Sequence, residues 1–395
     1  MQLSELPEFD VMALKDLDDP FGAIEWERYP DGLARSSRGL EVLGYDKVGQ
    51  AYRSTDLRNS TAAKMAAIGF SEGPVFEALT GMVTNAEGEE HRRMRRAFQP
   101  WFVADSVEKF RSEIRSFIDD WMERNSDGRA DFANELGLAL PSMVFTQIVG
   151  ADRDQAPFIS HASTEILRFA SFNPEVHDGV ERAMLETLSW LEALIAQKES
   201  SPGSDLTSAL LQAEREGTIT RNHTVRILVT LIIGSTESTR AQMACNLVAL
   251  ARNKDQWRAL QQHPNDLHTA VQELYRYNPA TLATARAPER DIEFYGIPVR
   301  ADEPVFLCRF SANNDPSVYD RPRELNVLKL RERPPFTFGN GRHSCVGRMI
   351  ATIEQEELLG SALAHWSDFE IADVEWAGFP FMQSPKRLTF EVTSR

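Results

Sequence analysis

Ten consecutive residues, Phe338-Gly339-Asn340-Gly341-Arg342-His343-Ser344-Cys345-Val346-Gly347, constrain what this chain can fold into more than any other stretch. They set a lone cysteine at the close of a glycine-rich loop, and an apolar-periodic segment follows at once. Val346, Met349, Ile350 and Ile353 recur at the spacing of one helix face, so Cys345 is expected at a helix N-terminus. Unpaired N–H groups and the positive end of the helix dipole favour a thiolate there, and a thiolate is a metal ligand. Gly339, Gly341 and Gly347 allow positive φ and a close approach of backbone to a flat ligand. Phe338 is placed to shield the sulfur from water and His343 to reach an acidic group. The plainer alternative is a structural cysteine beside a glycine turn. So many positions fitting one pattern argue against it.

Composition narrows the surroundings of that loop. The chain has 395 residues, 42% hydrophobic and 26% charged, the balance of an ordinary soluble globular protein. No apolar run approaches the ~20 residues that cross a bilayer, and Met1 to Pro20 is acidic, unlike a signal peptide. Cys245, Cys308 and Cys345 make no disulfide framework, so a cytoplasmic location is expected. A net charge of −16 argues against nucleic acid or an anionic membrane as partner.

The texture is mostly helical. Leu33–Tyr45 reads as a strand pair, Asp46–Ser54 as a helix, and Phe70–Val83, with Gly73, Pro74 and Gly81, as a mobile loop. Helices are predicted over Glu89–Phe98, Ser106–Asn125, Asn134–Val149, Val176–Glu199, Asn222–Lys254, Leu267–Tyr277 and Cys345–His365. Strands are predicted around Ile292–Val299 and Val305–Cys308, an irregular stretch over Asn313–Pro335, and a hairpin over Trp376–Val392. Without repeats or a linker, residues 1–395 are expected to form one helix-dominated domain with no fused module.

Three further constellations carry chemistry. Gly234-Ser235-Thr236-Glu237-Ser238-Thr239 interrupts an otherwise apolar helix; its hydroxyls can bond back to carbonyls one turn earlier and bend it. A carboxylate and hydroxyls at such a bend can hold water and relay protons, although a solvated polar face is the simpler alternative. Glu273 and Arg276 stand three apart on one helix face, close enough to pair. His91 and Arg95 stand four apart in a locally basic helix that also holds Arg92, Arg93 and Arg96.

The loop around Cys345 resembles the haem-binding loop of the cytochrome P450 family, in which phenylalanine, three glycines, histidine and cysteine hold these relative positions. The order of the other motifs resembles that family from about Tyr29 to the C-terminal hairpin, including Asn313-Asn314-Asp315-Pro316 before the loop. The resemblance implies a mainly α fold with small β-sheets (α+β), a single helix-rich domain enclosing a b-type haem. It implies Cys345 as axial thiolate on the iron, with Phe338 and Gly347 against the haem. His91, Arg95, Arg286 and His343 are implied on its propionates, where bidentate arginine is apt. Glu237 takes the family's acid position, Ser238 its alcohol position and Thr239 the next; the family usually has threonine where Ser238 stands. Glu273 and Arg276 become an internal brace whose third, basic partner is one of Arg321, Arg323, Lys329 and Arg331.

The implied activity is insertion of one oxygen atom from O2 into a small organic substrate, by hydroxylation or oxidative O- or N-dealkylation. Electrons are expected from NAD(P)H through a separate ferredoxin and reductase, the ferredoxin docking at Arg92, Arg96, Arg342 and Arg348. A monomer is expected. By family analogy Phe76, Leu79, Met82, Leu167, Phe169, Thr230, Ile233, Gly234, Leu282, Phe381 and Met382 are candidates for the substrate pocket. Ordinary core packing competes for each. A peroxide-driven peroxygenase would be expected to lack the Glu237-Ser238 pair, and a non-catalytic haem-binding or gas-sensing protein would not need it.

Overall fold

The computed structural model describes residues 2–9, 24–59, 61–171, 173–377 and 381–395. Residues 378–380, within the predicted hairpin Trp376–Val392, and residues 10–23, much of the acidic opening, lie outside them. Helices dominate, arranged by where their apolar surfaces point. Arg221–Ser235 and Glu237–Arg252 run in succession through the interior, and nearly every side chain of the second is buried. Leu136–Val149 is apolar on all sides, as suits a helix enclosed by protein, and it packs on Glu237–Arg252. Ala156–Leu167 lies between His177–Ser200 and Arg221–Ser235, and Arg348–His365 packs against Arg111–Arg124 and Leu267–Tyr277.

A five-stranded sheet forms a smaller layer, in the order Leu33–Ser36, Gly39–Val42, Val305–Cys308, Ala283–Pro288, Leu57–Arg58. Its pairs are antiparallel except Gly39–Val42 with Val305–Cys308. Ala283 lies opposite Cys308 and Arg286 opposite Val305, a register that later decides which arginine meets the cavity. A second sheet sets Ser384–Ser394 between Gly128–Asp131 and Trp366–Ala377.

Several expected elements change. The predicted loop Phe70–Val83 contains a helix, Pro74–Thr80. Pro74 at its first turn and the flanking Gly73 and Gly81 are end signals, not loop signals. The predicted helix Asn222–Lys254 breaks at Thr236 and again at Asn253, after which Lys254–Gln262 starts afresh. Helices Ala156–Leu167 and Leu206–Arg215 were not predicted; the second is capped by Asp205, which accepts from the Ser208 N–H at 2.8 Å. Strand Ile292–Val299 is a hairpin turning at Tyr295 and Gly296, both at positive φ. The C-terminal hairpin begins at Trp366, directly after the helix, rather than at Trp376. The last helix starts at Arg348 with Gly347 as its cap, so Cys345 precedes it.

Candidate active site

One interior cavity gathers most of the motif residues. One wall comes from the broken helix, through Thr230, Leu231, Gly234, Ser235, Ser238 and Thr239. Another comes from the cysteine loop and the helix after it, through Phe338, Ser344, Cys345, Val346, Gly347 and Ile350. His91, Arg95, Arg309 and His343 also line it.

The cysteine loop is held by its own backbone. The Cys345 N–H donates to the Phe338 carbonyl at 2.9 Å, and Gly339 and Gly341 take φ of 66° and 71°. A side chain on Gly341 would also press into the Tyr52 carbonyl, at 2.7 Å, so glycine is required there on two counts. Phe338 is pinned edge-on to Tyr275, centroids 5.0 Å apart. Cys345 is accessible, yet it faces the cavity within the protein. Enclosure pushes its thiol above the ordinary range, opposed by the Gly347 N–H and by Arg309, Arg95 and Arg348.

The broken helix shows why hydroxyls matter at its bend. Ser238 Oγ donates to the Gly234 carbonyl at 3.1 Å and Thr239 Oγ1 to that of Ser235 at 3.2 Å. These back-bonds compete with the helix ladder, and the helix is interrupted at Thr236, between Ser235 and Glu237, although Thr236 stays in the right-handed region at φ −99° and ψ −64°. A Cβ on Gly234 would meet nothing within 4 Å, so the residue keeps the cavity open.

Glu237 is turned away from the cavity. Arg240 Nη1 donates to both its oxygens at 3.3 Å, Thr164 Oγ1 donates to Oε2 at 2.9 Å, and Ser384 Oγ donates to Oε1. Arg240 in turn donates to the Pro385 carbonyl at 2.7 Å. The acid is thus tied to helix Ala156–Leu167 and to the C-terminal strand.

A second acid, Glu354, does line the cavity, and sequence reading did not select it. Burial alone pushes its carboxyl up from 4.5 to about 8, and its Oε1 has no hydrogen-bond partner. Between those values the unfolded chain releases a proton that the folded protein retains, so stability falls as pH rises through the window. The slope approaches about 1.4 kcal/mol per pH unit. Glu354→Gln is therefore expected to be more stable than wild type at pH 8 and equal to it near pH 4.5. Urea midpoints across that range test this, and a constant difference would refute it.

Of the other predicted contacts, His91, Arg95 and His343 line the cavity and Arg286 does not. His91 Nε2 is buried without a partner, and burial followed by the Arg95 charge pulls its pKa down. Arg95 donates to the Ser344 carbonyl at 2.8 Å, and no described carboxylate pairs with it. His343 Nε2 lies 3.1 Å from Glu87, and burial holds the ring near pKa 4. Burial disfavours the Glu87 charge, but Arg342 and His343 together keep its carboxyl below the usual range.

The Glu273–Arg276 pair is present and fully buried. Arg276 Nε and Nη2 donate to the two Glu273 oxygens at 2.8 Å, and Arg331 donates to the same oxygens at 3.0 and 2.7 Å. The open choice of third partner therefore resolves to Arg331. Of the predicted basic surface, Arg92, Arg96 and Arg348 are exposed. Arg342 departs from it: its guanidinium turns inward to Glu87 and to the Ser54 and Leu57 carbonyls.

Only Thr230 and Gly234 of the predicted pocket residues line the cavity. Leu79, Met82, Phe169, Ile233, Leu282 and Met382 are buried in packing, and Phe76, Leu167 and Phe381 are partly buried against core clusters. Val83, Thr84, Ala280 and Thr281 take those places instead, and Arg309 joins them. Arg309 had one sequence signal, a charge immediately after the apolar strand Val305–Cys308.

Such a cavity suits a flat, carboxylate-bearing cofactor ligated through sulfur, and that is the class of enzyme which fold and site define. Residues 72–372 match the family model for cytochrome P450. A luteothin monooxygenase of Streptomyces thioluteus is 26% identical, over 94% of this chain and 93% of its own length. Nocardicin C N-oxygenase of Nocardia uniformis subsp. tsuyamanensis is 30% identical, over 84% and 85%. The crystal structure of CalO2 matches with a TM-score of 0.90 at 21% identity, covering 98% of this chain and 99% of its own. Epothilone D-bound cytochrome P450epoK matches at 0.88 and 20%, covering 98% and 99%. The chain belongs to the cytochrome P450 family, whose members are haem monooxygenases. The residues present fit a haem: an accessible thiol, a partnerless buried His91 nitrogen and cations without described carboxylate partners share the cavity. Among the described residues no helix is long and apolar enough to cross a membrane.

Proposed function

We propose that the cavity holds a b-type haem through Cys345, and that the chain inserts one atom of O2 into a small organic substrate by hydroxylation or oxidative O- or N-dealkylation. One observation carries this reading: Cys345, Ser238 and Thr239 line a single cavity. Electrons come from NAD(P)H through a separate ferredoxin and reductase, the ferredoxin meeting the exposed Arg92, Arg96 and Arg348. The enzyme acts as a monomeric, single-domain cytoplasmic protein.

When bound, the haem supplies the iron at which dioxygen is activated. The protein's part is to hold sulfur, carboxylates, substrate and protons. Gly347 N–H, Arg309, Arg95 and Arg348 favour the thiolate against its enclosure. His91, Arg95 and His343, which line the cavity, would meet the carboxylates. Ser238 and Thr239 already donate to backbone carbonyls, so their oxygens are left to accept from water in the cavity. Glu237 relays protons brought by water only after exchanging Arg240, Thr164 and Ser384 for that water, a rearrangement that frees it from helix Ala156–Leu167 and the C-terminal strand rather than a resting contact. Relatives named an N-oxygenase and a 6-deoxyerythronolide B hydroxylase differ in the reaction they are named for, so the substrate stays at the level of a small organic molecule.

The reduced carbon monoxide complex is expected to show the red-shifted Soret band of thiolate ligation; an ordinary haem-protein band would remove Cys345 from its role. Serine lacks the methyl that restricts the threonine rotamer, so Ser238→Thr is expected to raise the product formed per nicotinamide oxidised. Ser238→Ala is expected to lower product formation by up to about 10²-fold while oxygen uptake continues as peroxide. Unchanged coupling in both variants would exclude Ser238 from proton delivery.

A further inference from the structure

The five-stranded sheet brings two arginines toward the cavity, and only one of them lines it. Arg309 does. Arg286, which the family pattern nominates for a haem carboxylate, instead donates through Nη1 to Asn59 Oδ1 and to the Ala285 carbonyl, the latter at 3.2 Å. Strand register explains the difference. Arg286 pairs with Val305 within the sheet, whereas Arg309 follows the strand end where Cys308 faces Ala283. There its Nη1 donates to the Thr337 carbonyl at 2.9 Å, one residue before Phe338, and its Nε donates to Tyr52 Oη at 2.7 Å.

Both guanidinium groups sit over the Tyr52 ring, each 5.9 Å from its centroid. Neither is paired with a described carboxylate, and a cation enclosed without an anion is unfavourable. Burial, then repulsion from Arg309 and Arg342, pulls Arg286 down to about 10 despite the nearby Tyr52 phenol and the weaker pull of the Glu87 carboxylate. Positive charge therefore predominates at the site, and Arg309 presents its part to the cavity with Nη2 uncommitted to any described partner.

We propose that Arg309, immediately after strand Val305–Cys308, rather than Arg286 within the sheet, directly holds a haem carboxylate. Arg286 is a positioning residue behind it, ordering Tyr52 and Asn59. This rests on the haem reading, and the test separates the two.

Haem transfer from the ferric holoenzyme to excess apomyoglobin measures retention, and a spectroelectrochemical titration gives the midpoint potential. Arg309→Gln is expected to lose haem on the order of tenfold faster than wild type, as for a lost charge-assisted hydrogen bond. Its potential is expected to move negative, because a cation that disfavours ferric iron is gone. Arg286→Gln is expected to show a smaller change in both. Tyr52→Phe keeps the Arg309 charge and is expected to stay closer to wild type than Arg309→Gln. Where Arg309→Gln does not accumulate, Arg309→Lys carries the expectation of faster loss, since an ammonium cannot span Tyr52, Thr337 and a carboxylate together. Wild-type retention and potential in the Arg309 variants would overturn the proposal. So would Arg286→Gln losing haem faster than Arg309→Gln, or Tyr52→Phe matching it. A wild-type protein without the thiolate band would instead overturn the haem reading itself.

Discussion

Cys345→Ser is expected to leave a folded protein whose carbon monoxide complex lacks the red-shifted band and whose product formation falls to background. The side chain faces the cavity, so the exchange opens no void in the packed interior. No other thiol can substitute. Cys245 is buried beside Gln383, and Cys308 lies fully buried in the five-stranded sheet, its thiol pushed up to about 11 by burial. Both are inert by environment. The paired measurement is the ferrous carbon monoxide spectrum with substrate turnover. A red-shifted band surviving in Cys345→Ser would mean that sulfur from elsewhere binds the iron.

Arg276→Met is expected to cost about 3–5 kcal/mol, the usual consequence of removing one partner of a buried ion pair. Beyond Glu273, Arg276 also serves the Asn313, Pro322 and Glu324 carbonyls and Asn314 Oδ1. Arg331 alone would then face the Glu273 carboxylate. A loss of that size is a large share of the ~5–15 kcal/mol that holds most proteins folded. Glu273→Gln combined with Arg276→Met is expected to recover part of it, because the stranded charge is gone. Burial works against the Glu273 charge, yet Arg276 and Arg331 hold its carboxyl below the ordinary range. The wild-type gain is thus complete above that range and is lost as pH falls beneath it. Denaturant midpoints for wild type and both variants decide the matter; equal midpoints would show that the pair does not brace the fold.

What sequence made legible was chemistry carried by local pattern. The cysteine loop, His91 with Arg95, and Glu273 with Arg276 are short spacings, and the structure brings each to one place. What it did not reveal depends on tertiary choice. Arg331 and Lys329 look alike in an irregular segment; only packing sends Arg331 to Glu273 and leaves Lys329 with Asp320. Apolar residues read the same in a core as in a cavity wall, so Ile233 and Leu231 could not be told apart, although only Leu231 lines the cavity. Glu237 was identifiable as an acid at a bend, but its direction is decided by Arg240, Thr164 and Ser384, each from a different position in the chain. Arg309 went unseen because strand register, not residue type, aims it.

The central strand of the second sheet sets the timetable of assembly. Ser384–Ser394 pairs with Gly128–Asp131, while the Leu282 N–H bonds to the Phe381 carbonyl and the Gln383 N–H to that of Ala280. Ala280 and Thr281 form part of the cavity wall, so that wall is secured by residues made about a hundred positions later. Contacts so far apart close late, after the entropy of the intervening loop has been overcome. On a ribosome the growing chain would thus have neither Cys345 nor a closed wall until nearly all described segments had emerged. Closure of the cavity wall is therefore expected to follow the pairing of Phe381 and Gln383 with Leu282 and Ala280 rather than precede it.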